Sequence, residues 1–237
     1  MNIKIDFKND CKELIYKVYD EKDAKIIEDI PIIFSDEYNY IELKKYKQGI
    51  GDCIELVNNY NSEKPETIND DCFKTMLGLL GAYFPEEGVI KIYVNAIAIA
   101  SKRLDIDYLL LTQVVIIHEL SHFLSHKFPI NNKTWNDQAY IDGLKDVRIH
   151  EYIAQLSTAV IINNTDLCRP FQTLSYEQPI EYGVPEDGSF NCCNSLRKEL
   201  VLDTIEDFRN GNSWGDSVNN GPIKEARNWL LACKYKV

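Results

Sequence analysis

The sequence predicts an α+β fold. Strand-like alternation of apolar and polar residues is confined to short runs. The longer runs between them carry apolar residues at helical spacing, with Asn, Asp, Gly or Pro at their ends. The chain has 237 residues, 45% of them hydrophobic, ample for a core.

Taken in order, Ile3, Ile5 and Phe7 alternate as a short strand. Asn9 or Asp10 can cap a helix reaching Tyr19, with Leu14, Ile15 and Val18 on its apolar side. Pro31–Phe34 reads as a short buried strand and Tyr38–Leu43 as another. Gly49 and Gly51 break the chain before a helix over Asp52–Tyr60, and a further helix spans Asn69–Leu80. Gly81–Gly88 reads as a strand end and turn, and Val89–Val94 alternates as a strand. Asn95 is a candidate cap for a short helix, Ala96–Arg103. Asp105 or Asp107 can cap the next one, which runs to Lys127 and stops at Pro129 and Asn131-Asn132. A long helix is expected over Asn136–Ile162. Thr165–Phe190, with Pro170, Pro179 and Pro185, reads mostly as loop. Asn194 can cap a helix to Asn210, stopped by Gly211, and Pro222 opens a last helix. No internal repeat or low-complexity tract appears.

A formal charge of −11 argues against a nucleic-acid or anionic-membrane surface. The 7 cysteines include the vicinal Cys192-Cys193, read as two ordinary thiols. They are odd in number, scattered and without a Cys-x-x-Cys pair, which fits a reducing compartment better than a disulfide framework. There is no signal-peptide core at the start and no run of apolar residues long enough to span a bilayer. The expectation is a cytoplasmic protein.

The chemistry is concentrated at Ile116-Ile117-His118-Glu119-Leu120-Ser121-His122. Residues four apart lie on one helix face, so His118 and His122 can address one metal ion. Glu119 is one residue round, where its carboxylate can act as a general base on water. The apolar run 109–117 leading into this pattern reads as a buried helix. Two buried histidines and a glutamate require compensation, which a metal supplies. Catalytic zinc takes three protein ligands. A third histidine six residues past His122 would fall at Phe128, so that spacing is absent. The remaining candidates are His126, Asp142, Asp146, His150 and Glu151. His126 lies about 80° from His118 on an ideal helix and reads as a surface or supporting residue. Asp146 and His150 read as a surface pair.

The run Ile90–Asn95, a short helix and then Val114–His122 resemble bacterial gluzincin-type zinc metallopeptidases of the small, minimal kind. The resemblance covers about residues 81–162. It implies a zincin-like core: a small sheet packed on the His-Glu-x-x-His helix, and a second helix that supplies a glutamate ligand followed three residues later by alanine. Glu151 and Ala154 match that pattern, so the implied ligands are His118, His122 and Glu151, with Zn2+ between them and Glu119 as catalytic base. Small Ala154 would let the two helices approach closely. The larger gluzincins carry an aspartate four positions after the glutamate, where this chain has Gln155. Tyr176 and Tyr182 are the candidates for a group that stabilises the transition state. The expected organisation is one zincin-like domain over 1–237, with an N-terminal α+β part (1–80), the metal-binding core (81–162) and a C-terminal loop and helices (163–237). The expected function is a zinc-dependent metallopeptidase acting on a peptide or protein. An extended substrate would pair with an open edge of the Val89–Val94 strand, whereas a covered edge would favour a non-catalytic zinc-binding module.

Overall fold

The apolar run 109–117 lies within a 20-residue helix, and the other elements are arranged around it. The computed structural model describes residues 7–35, 57–58, 70–130, 135–143, 147–178 and 198–210. In chain order these form helix α1 (Phe7–Ile15), the short helix α2 (Glu21–Ala24) running into a 3-10 turn (Lys25–Glu28), strand β1 (Ile32–Ser35), helix α3 (Asp70–Leu77), strands β2 (Gly81–Phe84) and β3 (Val89–Tyr93), and helices α4 (Val94–Leu104), α5 (Tyr108–Lys127), α6 (Asp137–Gly143), α7 (Val147–Ile161), α8 (Cys168–Glu177) and α9 (Lys198–Arg209). The architecture is α+β, as the sequence predicts.

The sheet has the order β1-β3-β2. β1 pairs with β3 in parallel, Ile32 beside Ile90, and β2 pairs with it antiparallel, Gly81 beside Ile92. Ile90 and Ile92 alternate inward on β3 and are fully buried. Gly88, at φ +65°, takes the left-handed conformation that lets the chain turn from β2 into β3. The strand expected to offer an open edge, 89–94, is therefore the central one. Among the described residues the outer strands are β1 and β2, and β2 lies where the sequence predicts a strand end and turn. β1 is not the buried strand expected there, because Ile33 and Phe34 are 44% and 47% exposed.

Several boundaries differ for local reasons. α4 begins at Val94 with Tyr93 as its cap position, without the side-chain cap expected from Asn95. Asp105 ends α4 in the left-handed conformation, φ 52°, and Asp107 starts α5 by accepting from the N–H groups of Leu109 and Leu110 at 2.8 and 3.0 Å. Phe7 opens α1. The long helix expected over 136–162 contains α6 and α7, with residues 144–146 outside the described ones. Asn136 caps α6 through the N–H of Gln138. α8 occupies part of the expected loop. Pro170 sits in its first turn, where a missing N–H does no harm, and Phe171 and Leu174 turn inward. The expected strand 38–43 and last helix from Pro222 lie outside the described residues, as does most of the expected helix 52–60. Cys11, Cys72 and Cys168 form no disulfide.

α5 is apolar on every side, and by length and composition it would pass for a membrane span; here most of it is buried in the protein. It packs most extensively on α7 and also meets α1, α4, α8 and β2. Its buried hydroxyls bond within the helix: Thr112 to the Tyr108 carbonyl, Ser121 to Ile117 and Ser125 to His122, at 2.7, 2.8 and 2.8 Å. Its C-terminal carbonyls are met from another element. Arg209 of α9 donates to the carbonyls of Ser125 and Phe128 at 2.7 and 2.8 Å, and more weakly to His126 at 3.4 Å. A cation there also complements the negative end of the helix dipole. Arg209→Ala should lower stability by about 2–3 kcal/mol, the scale for stranding acceptors of a charged donor. Urea unfolding measures it, and a change within about 0.5 kcal/mol would mean that water replaces the guanidinium without loss.

Candidate metal centre

His118 and His122 stand one turn apart on α5 with their Nε2 atoms 3.2 Å apart and their rings edge to face. α7 brings Glu151 against them: its Oε2 lies 3.3 Å from His118 Nε2 and 3.6 Å from His122 Nε2. The sequence can place the histidines by helical geometry alone. The glutamate reaches them only through the packing of α7 on α5.

The three atoms fit a metal ion. Ligands about 2.0–2.2 Å from a tetrahedral zinc stand about 3.3–3.6 Å from one another, close to the observed 3.2, 3.3 and 3.6 Å. Each atom carries a lone pair, and two imidazole nitrogens this close require a proton or a cation between them. The group is the one set of this kind among the described residues. Burial opposes charge on Glu151, but His122 and His118 outweigh it and hold the carboxyl well below its usual range. Burial also opposes charge on His122, and Glu151 overcomes it and raises that imidazole.

Glu119 is 5% exposed and lines the same cavity as the three donors. Burial raises its carboxyl, a shift opposed by His118, by His122 and by the backbone N–H of Tyr83, which donates to it. That N–H belongs to the outer edge of β2. Tyr93 N–H donates to the Leu80 carbonyl at 3.0 Å, so the register turns the peptide groups of Gly81 and Tyr83 away from β3. Gly81 is needed for a related reason. A Cβ there would stand 2.9 Å from Glu119 Cγ and from Val115 Cγ1.

The other third-ligand candidates lie elsewhere. His150 is buried on α7, stacked on Trp135 and edge-on to Tyr140, and lines the cavity outside the trio. The surface role expected for it is therefore wrong. His126 is fully buried, not a surface residue, because α5 is covered on all sides around that turn. Its Nε2 is 3.0 Å from Asp137 and its Nδ1 2.9 Å from the Tyr83 hydroxyl, and its ring stacks on Tyr140. The Asp142 side chain, Asp146, the Tyr176 side chain and Tyr182 lie outside what is described. Tyr83, Tyr140, Gly81, Gln155 and Gln178 are among the cavity residues that sequence reasoning did not assign to the site. Only the left-over departure at Gln155 signalled any of them.

Burial, joined by Lys127 and opposed by Asp137, pushes His126 down to about 4. Above its ordinary value of 6.5 the residue is neutral whether folded or unfolded. Between that value and about 4 the unfolded chain binds a proton that the folded one refuses, so stability falls as pH falls through this window. The loss is at most about 1.4 kcal/mol per pH unit. Urea midpoints from pH 8 to 4, parent minus His126→Gln, should show that slope; a flat difference would show that His126 keeps its ordinary affinity for protons.

Comparison of the chain with family models, with curated proteins and with solved structures finds no match. What the centre does must be argued from its donors and their surroundings.

Proposed function

We propose that the chain is a zinc-dependent peptidase with a zincin-like core, in which His118, His122 and Glu151 hold the metal and Glu119 is the general base. The observation that carries this reading is the convergence of three lone-pair donors at ligand spacing, from two helices, in a cavity that also holds the Glu119 carboxylate. A zinc ion so held supplies a lowered pKa to water and polarises a carbonyl. Glu119 takes a proton from the water as its oxygen bonds to the scissile carbonyl carbon. When the C–N bond breaks, Glu119 gives that proton to the leaving amine nitrogen. Gly81 turns its N–H and C=O outward along β2, and Tyr83 its C=O, its N–H being held by Glu119, so an extended peptide can add to that edge and bring its carbonyl toward Glu119.

The covered edge of Val89–Tyr93 favours a second reading, a non-catalytic metal-binding module. β2 weakens that point by supplying an edge of its own, beside the base. A purely structural site also has no use for a carboxylate in the position of Glu119.

Purified protein should contain about one zinc per chain by metal analysis, and Glu151→Ala should weaken zinc in a chelator competition by at least about 10–100-fold. His150→Ala should weaken it far less, and the reverse order would assign the third ligand to His150. Glu119→Gln should keep the metal and lose at least about 100-fold in peptide hydrolysis. A Gln variant as active as the parent removes Glu119 from the reaction. Metal content without hydrolysis of any peptide library would favour the module.

Gly81→Ala is a finer test. Its Cβ must displace the Glu119 side chain, so kcat should fall by about 10–100-fold with zinc content unchanged. Full activity would mean that the carboxylate need not stand where it does.

A further inference from the structure

The cavity beside the three donors measures about 130 Å³. Leu77, Val114, Phe171 and Leu174 give it an apolar wall, which two amides interrupt, Gln155 and Gln178. Gln155 follows Glu151 by one turn of α7, on the same face. It is 1% exposed. Its Nε2 donates to Gln178 Oε1 at 2.8 Å, and Gln178 Nε2 donates to the Leu77 carbonyl at 3.1 Å. Gln155 Oε1 is buried without a hydrogen-bond partner.

The direction of this relay is fixed at its far end. A backbone carbonyl only accepts, so Gln178 must turn its NH2 toward Leu77. Its oxygen then faces Gln155, which must answer with its own NH2. Turning either amide alone would set two oxygens or two NH2 groups against each other. The group left over is an acceptor, Gln155 Oε1, and it carries its desolvation penalty until a donor reaches it.

We infer that Gln155 determines specificity: its Oε1 accepts a hydrogen bond from an uncharged, donor-bearing substrate side chain, a primary amide or a hydroxyl on an apolar stem. The inference rests on the peptidase reading above, since it takes the cavity's occupant to be a peptide side chain. A carboxylate side chain would set acceptor against acceptor. An apolar isostere would leave Oε1 unsatisfied, the arrangement by which a polar pocket rejects an analogue lacking the donor.

The test uses zinc-loaded Glu119→Gln protein, which should bind without cleaving, and fluorescent nonapeptides on an alanine background. Matched pairs differ only in the donor: Gln against Glu, Gln against Met, Tyr against Phe, placed at each position in turn. Anisotropy should show, at one position, at least about tenfold tighter binding of the donor-bearing member. In a second variant, Gln178→Met added to the same protein, the Gln155 amide is free to turn. Its preference for Gln over Glu should then shrink to within about twofold, while a merely structural pair would leave the ratio unchanged. Equal binding within every pair, no binding of any peptide, or a preference untouched by Gln178→Met overturns the inference. Cleavage by the parent separates the two claims. A donor preference in binding, with no hydrolysis of the bound peptide by zinc-loaded parent, overturns the peptidase reading and leaves Gln155 as the selecting residue. Hydrolysis without any donor preference does the reverse.

Discussion

The packing of α7 on α5 is the constraint on which the rest depends. It sets a carboxylate on one helix against two imidazoles on the other, all within 4.8 Å of one another and largely shielded from water. Such groups are expensive to bury singly and become tolerable only together, or with a cation among them. The helices must therefore be held in rotation and in translation. Ala154 is fully buried one turn from Glu151, and Thr158 turns its hydroxyl back to the Ala154 carbonyl at 2.7 Å, so that hydroxyl is not stranded near the contact. α5 is fixed at its start by Asp107 and at its end by Arg209, so the register of its two histidines is set from both termini. From α6, the Tyr140 hydroxyl reaches the His122 carbonyl at 3.4 Å, a further tie to the turn that carries the donor.

The sheet enters the centre through β2. Tyr83 donates its backbone N–H to Glu119 and meets His126 Nδ1 with its hydroxyl, while His126 meets Asp137 at its other nitrogen. Asp137 also pairs with Lys127 at the end of α5. The strand edge is thus tied to α5 twice, at the turn of Glu119 and two turns further on. Gly81 lets this happen, because strand and helix approach too closely there for a side chain. The buried His126 is explained by the same tie. It links the β2 edge to the start of α6 and has no part in the donor trio.

What was legible in the sequence was whatever depended on neighbours along the chain. The pairing of His118 with His122 needs only helical periodicity, and the cap at Asp107 needs only the local pattern. Glu151 was reachable because a second helix had to supply a ligand and the resemblance favoured one residue of it. The failures share a cause. Strand order is not a local property, so nothing along 81–94 shows that β3 is central and β2 outer. The angle of His126 on α5 allows a surface or a supporting residue; the surface alternative needs a helix with a solvent side at that turn, and α5 has none there. Tyr83 meets His126 across 43 positions and Gln178 meets Leu77 across 101, distances at which no sequence pattern points from one to the other. α8 was hidden by its proline, which breaks a helix in the middle but not in the first turn.

Gln155 shows why a departure from a family pattern is best read physically. An aspartate there would add a negative charge to a wall made of leucine, valine and phenylalanine, beside two carboxylates already buried. With a doubly charged ion among the donors, Glu119 and Glu151 balance it, and a third carboxylate would leave a net charge in a poorly solvated place. An amide keeps the shape and the hydrogen-bonding capacity without that charge. It is also free to turn away from the histidines toward Gln178, as it does here. The same position on α7 that would have steadied a ligand from behind then becomes part of the cavity wall. Its polarity is set by a main-chain carbonyl at the end of α3, so the chemistry of that wall is decided by the backbone path of a helix that supplies none of the three donors.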